Sequence, residues 1–199
     1  ASNPSGTMGR RSFGATAEEV APMVAAQVRG FADAGVLCAA KHFPGIGGAL
    51  GDSHDARIYS DKTLEELRLE ELVPFEAAIA EDVPIVMVGH LSLPSVTGGD
   101  TPASLSHEVV TGILREELGF GGVVITDSME MGAATSSVPE GRVAVEALLA
   151  GVDVVLMPPS FEAAYQGVLD AVSSGELDAA RVDASVRRVL AVKLGRLGA

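Results

Sequence analysis

The sequence has little of what many binding and redox chemistries use. It has a single cysteine, Cys38, so no intrachain disulfide can form. That residue sits in the apolar run Gly35-Val-Leu-Cys-Ala-Ala40, which predicts a buried, inert thiol. Tryptophan is absent and aromatics are only 4 % of residues against 47 % hydrophobic overall, so Ala, Val, Leu and Ile must build the core. Such a core suits layered helices and buried strands. Basic residues are scarce: 14 Lys and Arg stand against 27 Asp and Glu, for a formal net charge of −13. The chain therefore lacks the basic footprint that nucleic-acid phosphates require. It is equally unsuited to an anionic membrane surface, and the acidity reads as solubility. No apolar run approaches the roughly 20 residues of a membrane span. No secretory signal is visible, but the abrupt start at Ala1-Ser-Asn-Pro4 leaves that without bearing on compartment.

What is present is an alternation of short apolar runs with longer amphipathic segments, over a length that suits one domain, residues 1–199. Thr16-Ala-Glu-Glu19 reads as a capping box opening a helix that ends near Gly35. Val36–Ala40 then reads as a fully buried strand stopping at Lys41-His42, followed by the Gly-rich loop Phe43–Gly51. Thr63-Leu-Glu-Glu66 is a second capping box, starting a helix towards Ala80. Pro84–Val88 predicts the next strand, residues 106–118 a helix closed by Gly119, and Val123–Thr126 a strand ending at Asp127. A helix near 139–150 precedes a strand at Val152–Leu156, and helices near 160–173 and 180–195 finish the chain. Strands apolar on both faces and separated by helices imply an α/β fold with a parallel sheet and right-handed crossovers. About four such strands are expected, whereas a closed (β/α)8 barrel takes eight and typically about 250 residues.

The polar residues fall in a pattern. Lys41 and His42, His90, and Asp127 each end a different predicted strand, and in parallel α/β folds that end is where ligands bind. Three consecutive strands ending in His, His and Asp predict one shared pocket. Asp52-Ser-His54, on the loop beyond the first of these strands, sets a carboxylate two residues from an imidazole. An Asp that orients and charges a His makes a proton shuttle near neutral pH. Gly45-Ile-Gly-Gly48 lacks the spacing of a dinucleotide loop, and no Walker, His-Glu-x-x-His or Cys-cluster motif occurs. A metal-dependent hydrolase built on His42, His54, His90 and Asp127 is disfavoured because no pair has a usual ligand spacing. No cofactor and no metal are expected.

These residues also carry a family resemblance. Lys41-His-Phe-Pro-Gly-Ile-Gly47 followed by Asp52-Ser-His54 resembles the Lys-His-Phe-Pro-Gly-x-Gly…Asp-Ser/Thr-His motif of family 3 glycoside hydrolases of the β-N-acetylglucosaminidase type. Gly9-Arg-Arg-Ser-Phe-Gly14 and Met87-Val-Gly-His90 match as well, and Leu118–Met131 is similar to the family's nucleophile strand. The matches are collinear over nearly the whole chain. The resemblance implies a TIM-barrel-like (β/α)8 fold and a retaining glycosidase. Carried over by motif, Asp127 is the nucleophile, His54 the acid/base with Asp52 holding its tautomer and charge, and Arg11, Lys41 and His42 bind sugar hydroxyls. The implied substrate is a saccharide with terminal β-linked N-acetylglucosamine, such as a peptidoglycan fragment, in a bacterial cytoplasm or cell envelope.

Two departures matter. Ile46 and Gly48 replace a His and an acidic residue common in the family, neither of them at a catalytic position. The family's upstream Asp-x-Glu-Gly-Gly-x-Val-x-Arg segment has no counterpart in these residues. The expectation is therefore the C-terminal part of the catalytic barrel, an incomplete barrel of about four strands. Its open edges would be covered by association with another chain. The competing expectation is a non-catalytic glycosidase remnant acting as an interaction module.

Overall fold

The computed structural model describes residues 12–49, 58–132 and 138–197. Arg11, Asp52 and His54 lie outside them. Helix α1 (Ala17–Asp33) leads to strand β1 (Ala39–Phe43), and helices α2 (Leu64–Leu69) and α3 (Val73–Ala80) lead to β2 (Ile85–Val88). A single helical turn, α4 (Pro94–Thr97), precedes α5 (Glu108–Glu117), which is wound as a π-helix, and then β3 (Val123–Thr126). Helices α6 (Glu140–Ala150), α7 (Phe161–Ser174) and α8 (Ala179–Leu197) follow. The three strands are parallel in the order β1-β2-β3. This is the expected α/β architecture of an incomplete barrel, with helices on the crossovers.

The local signals explain most element boundaries. Thr16 caps α1 by accepting from the Glu19 N–H at 3.3 Å, but the Glu19 carboxylate reaches back to the Ala15 N–H instead of that of Thr16. At α2 the capping box is complete: Thr63 Oγ1 accepts from Glu66 N, and Glu66 Oε2 accepts from Thr63 N at 2.8 Å. Such a cap is worth about 1 kcal/mol. The single helix expected from there to Ala80 is broken at Glu70–Leu72, because Pro74 cannot donate a backbone hydrogen bond and restarts the helix as α3.

Two expected strands differ from the structure. The first is shifted: β1 begins at Ala39 and runs through Lys41 and His42 to Phe43, so these residues lie within the strand. Nor is the run fully buried, since Val36, Leu37, Ala39 and Lys41 are exposed. The reason is position: among the described residues β1 is the sheet edge, with no strand beyond it. Cys38 is accordingly half-buried rather than buried. The Lys41–His42 and Phe43–Pro44 peptides are cis, and the β1–β2 register shifts between Lys41 and Phe43. The second difference is at Val152–Leu156, which lies parallel to β3 but joins it by one bridge, Ile125 to Val154. Asp153 and Val154 both donate to Val124 O, and Leu156 donates to the Thr126 side chain, so the ladder never becomes regular.

The main core lies between the sheet and its helices. Phe43 meets Phe75 edge-on at 5.1 Å, and Val86, Val88, Leu67, Leu72, Leu114 and Met129 are fully buried around them. Each fully buried Leu contributes roughly 1.5–3 kcal/mol. Met129 is thus a core residue, and His107 is exposed on the first turn of its helix. At the other end, Phe161, Tyr165 and Leu169 on α7 and Val186, Leu190 and Leu194 on α8 recur every four residues and stay exposed. Four-residue spacing puts each set on one helix face. Among the described residues no helix is long and apolar enough to cross a membrane.

Candidate active site

Parallel pairing brings the ends of β1, β2 and β3 side by side, and with them His42, His90 and Asp127. Asp127 follows the last residue of β3, and its N–H donates to Val88 O at 2.8 Å, which ties it to the end of β2. Its carboxylate is oriented at both oxygens. Oδ1 accepts from the Ser128 N–H at 2.8 Å, and Oδ2 faces His42 Nε2 at 3.4 Å. The Asp127 side chain keeps 22 % of its surface exposed while that of His42 keeps 8 %, so the carboxylate is fixed from below and open from outside. An oriented, accessible carboxylate at the C-terminal end of a parallel strand is suited to attack an electrophilic carbon.

His42 can stand beside Asp127 because of Gly89. A Cβ at Gly89 would lie 3.2 Å from the His42 Cβ, tighter than ordinary side-chain contacts. The loop after β1 has a similar constraint. Gly45 has φ +120°, and a Cβ there would come within 2.7 Å of the Glu71 Cβ. Glu71 is buried beneath this loop and bonds Lys62 Nζ at 2.6 Å. The loop therefore rests on α2–α3, where bulk at position 45 would displace it.

His90 is placed differently from the other histidine. It is 2 % exposed, with Nδ1 2.8 Å from Ser104 Oγ and Nε2 2.9 Å from the Ser128 carbonyl oxygen. Burial pushes its pKa below the usual 6.5, against the opposing pull of the Ser128 hydrogen bond and the Asp127 charge. Nε2 on the Ser128 carbonyl and Nδ1 on the Ser104 hydroxyl leave both ring nitrogens of His90 engaged within the protein. Among the described residues no group of three or more His, Cys, Asp and Glu side chains converges on a metal-sized site.

Of the residues singled out in the sequence, the structure brings His42 and Asp127 together. Lys41 precedes His42 on β1 and is exposed. Lys41 and His42 also line a cleft of about 390 Å³ between α1, β1 and α3, into which Asp127 does not reach. Sequence reasoning missed Ser104, Ser128, Gly89 and Glu71. Ser128 had a signal, its position directly after Asp127. Ser104 and Glu71 had none, because only the tertiary fold sets them under His90 and Gly45.

An incomplete barrel of parallel strands with an oriented carboxylate at its C-terminal rim defines a class, and comparison with known proteins places the chain in it. Residues 1–192 match the glycosyl hydrolase family 3 N-terminal domain, and the chain belongs to this family. It is 41 % identical over 152 residues to a beta-hexosaminidase of Stenotrophomonas maltophilia strain K279a, covering 75 % of this chain and 44 % of the relative. It is 37 % identical to beta-hexosaminidase LpqI of Mycobacterium tuberculosis, over 94 % of this chain and 49 % of that protein. In structure it resembles a family 3 beta-N-acetylglucosaminidase from a Paenibacillus species, with a TM-score of 0.94 and 44 % identity, over 98 % of this chain and 38 % of the other. The chain thus spans less than half the length of each of these relatives.

Proposed function

We propose that this chain carries the nucleophile of a retaining glycosidase that removes terminal β-linked N-acetylglucosamine, with peptidoglycan fragments as the natural source. The observation that carries the reading is the Asp127 carboxylate, held at Oδ1 by Ser128 N–H, faced at Oδ2 by His42, and open to the outside at the strand end. The family membership and the hexosaminidase relatives support the sugar class. In the first half-reaction an Asp127 oxygen attacks the anomeric carbon and the bond to the leaving oxygen breaks. That oxygen takes a proton from His54, which Asp52 keeps in the right tautomer. In the second half-reaction water attacks the same carbon, giving its proton back to His54 and releasing the Asp127 carboxylate. Arg11, Lys41 and His42 bind the sugar hydroxyls in this scheme.

The chain is, in this reading, the C-terminal portion of the catalytic barrel. The open edge at β1 and the apolar stripes of α7 and α8 are then surfaces against which the rest of the protein packs. The nucleophile is tested with a 5-fluoro glycosyl fluoride of N-acetylglucosamine, which traps the covalent intermediate. The label is expected on the peptide containing Asp127. Label on any other carboxylate removes the assignment.

A further inference from the structure

We infer that His90 is a positioning residue for Asp127: a neutral imidazole that holds the peptide after the nucleophile in place. The inference rests on the reading of Asp127 as nucleophile. Ser128 O can only accept, so the imidazole nitrogen 2.9 Å from it, Nε2, carries the hydrogen. Nδ1 is then the acceptor, and the Ser104 hydroxyl at 2.8 Å donates to it. Ser104 is fully buried, and its own N–H donates to Gly89 O at 3.1 Å, so its backbone is tied to the residue before His90, just past the end of β2. The tautomer is thereby set by the fold. Burial, which pushes the imidazole pKa down, keeps the ring neutral.

The consequence runs to Asp127 in two steps. His90 pulls on Ser128 O from one side, while the next N–H, that of Met129, donates to Leu156 O at 2.9 Å on the other. The peptide between Ser128 and Met129 is held at both polar atoms. Ser128 is therefore fixed, and its N–H is the group that orients Asp127 Oδ1. Asp127 N–H is in turn bonded to Val88 O, two residues before His90. The nucleophile is braced on both sides by the end of β2. His90 itself does not touch the reacting atoms, and with both nitrogens occupied it cannot relay a proton.

The test uses the full-length protein and four variants. His90→Gln keeps an N–H donor near the Nε2 position, whereas His90→Ala and His90→Phe do not, and Ser104→Ala removes the hydroxyl that donates to Nδ1. Misplacing a reacting group by about 1 Å costs roughly 10²-fold in rate. His90→Ala and His90→Phe are therefore expected to lose about that factor in kcat and in the rate of fluorosugar trapping on Asp127, with KM little changed. His90→Gln should recover most of the loss. In the wild-type chain, long-range ¹H–¹⁵N NMR should show the His90 ring as the neutral Nε2–H tautomer at neutral pH, and Ser104→Ala should keep that tautomer, because Ser128 O still requires a donor. Trapping at the wild-type rate in a folded His90→Ala or His90→Phe protein overturns the inference, as does an imidazolium or Nδ1–H ring in the wild type. Failure of the wild type to label Asp127 is a separate outcome, which removes the nucleophile assignment and this role with it.

Discussion

Asp153 offers the sharpest test of how the fold is held. Its side chain is fully buried, and its two oxygens gather five partners. Oδ2 accepts from Arg115 Nη2 at 2.5 Å and from the Val124 N–H at 3.0 Å. Oδ1 accepts from Ser185 at 2.7 Å and Arg188 at 3.0 Å, with Arg181 at 3.6 Å. One carboxylate thus joins the start of β3, the end of α5 and the middle of α8. Asp153→Ala would leave three guanidinium groups facing one another and an orphaned buried N–H at Val124. Arg115 and Arg181 are already strained electrostatically: burial lowers their pKa, and Arg188 lowers it further. Breaking a buried pair by removing one partner costs about 3–5 kcal/mol. For a protein of this size each kcal/mol shifts Tm by about 2–4 °C, so a fall of roughly 6–20 °C is expected. Urea denaturation measures the loss directly. Because Asp153 meets the first residues of β3 and Asp127 follows the last, the surviving folded fraction should trap the fluorosugar at the wild-type rate. A loss below about 1 kcal/mol, at the level of a surface pair, would show that the cluster is not the brace it looks to be.

Gly45→Ala forces a side chain into the Glu71 Cβ and Cγ at positive φ, so a loss of about 1–3 kcal/mol is expected, with Glu71→Gly, which removes both atoms, partly restoring stability in the double variant. Full additivity of the two in denaturant melts would refute the close approach. His54→Ala is expected to slow glycosides with poor leaving groups far more than activated aryl glycosides, because only the former need protonation, and Asp52→Asn to give a milder form of the same split. Equal losses on both substrate types would assign the loop to binding. The folded His90 pKa is depressed below 6.5, chiefly by burial, so its contribution to stability is full above 6.5 and is lost as pH falls through the folded pKa. The stability difference between wild type and His90→Gln should therefore shrink on acidification through that window, and a difference flat from pH 7 to pH 4 would refute a neutral buried ring.

The element types were legible because their signals are local. The capping box at Thr63-Leu-Glu-Glu66 forms as written, and Gly151 ends α6 in the left-handed conformation that glycine favours. Polar residues ending three successive apolar runs located the rim of the sheet, since a parallel sheet brings those ends together whatever the details of packing. Where the reading slipped, the cause was non-local. Val36–Ala40 looked buried because it is apolar, but no strand lies beyond β1 among the described residues, and burial belongs to a pair of surfaces. The exception is the helix expected to run unbroken to Ala80, which yields at Pro74, a local signal that the reading passed over.

The sequence by itself determined the alternation of strands and helices, the family motif and the identity of the candidate nucleophile, because each is encoded in neighbouring residues or in fixed spacing along the chain. Only the tertiary structure decided how Asp127 is held. Its partners come from positions 42, 88 and 128, and the imidazole that secures Ser128 comes from position 90 with a serine from position 104 behind it. Hydrogen bonds act over about 3 Å of space and carry no record of separation along the chain, so a brace assembled from three strand ends exists only once those ends have met.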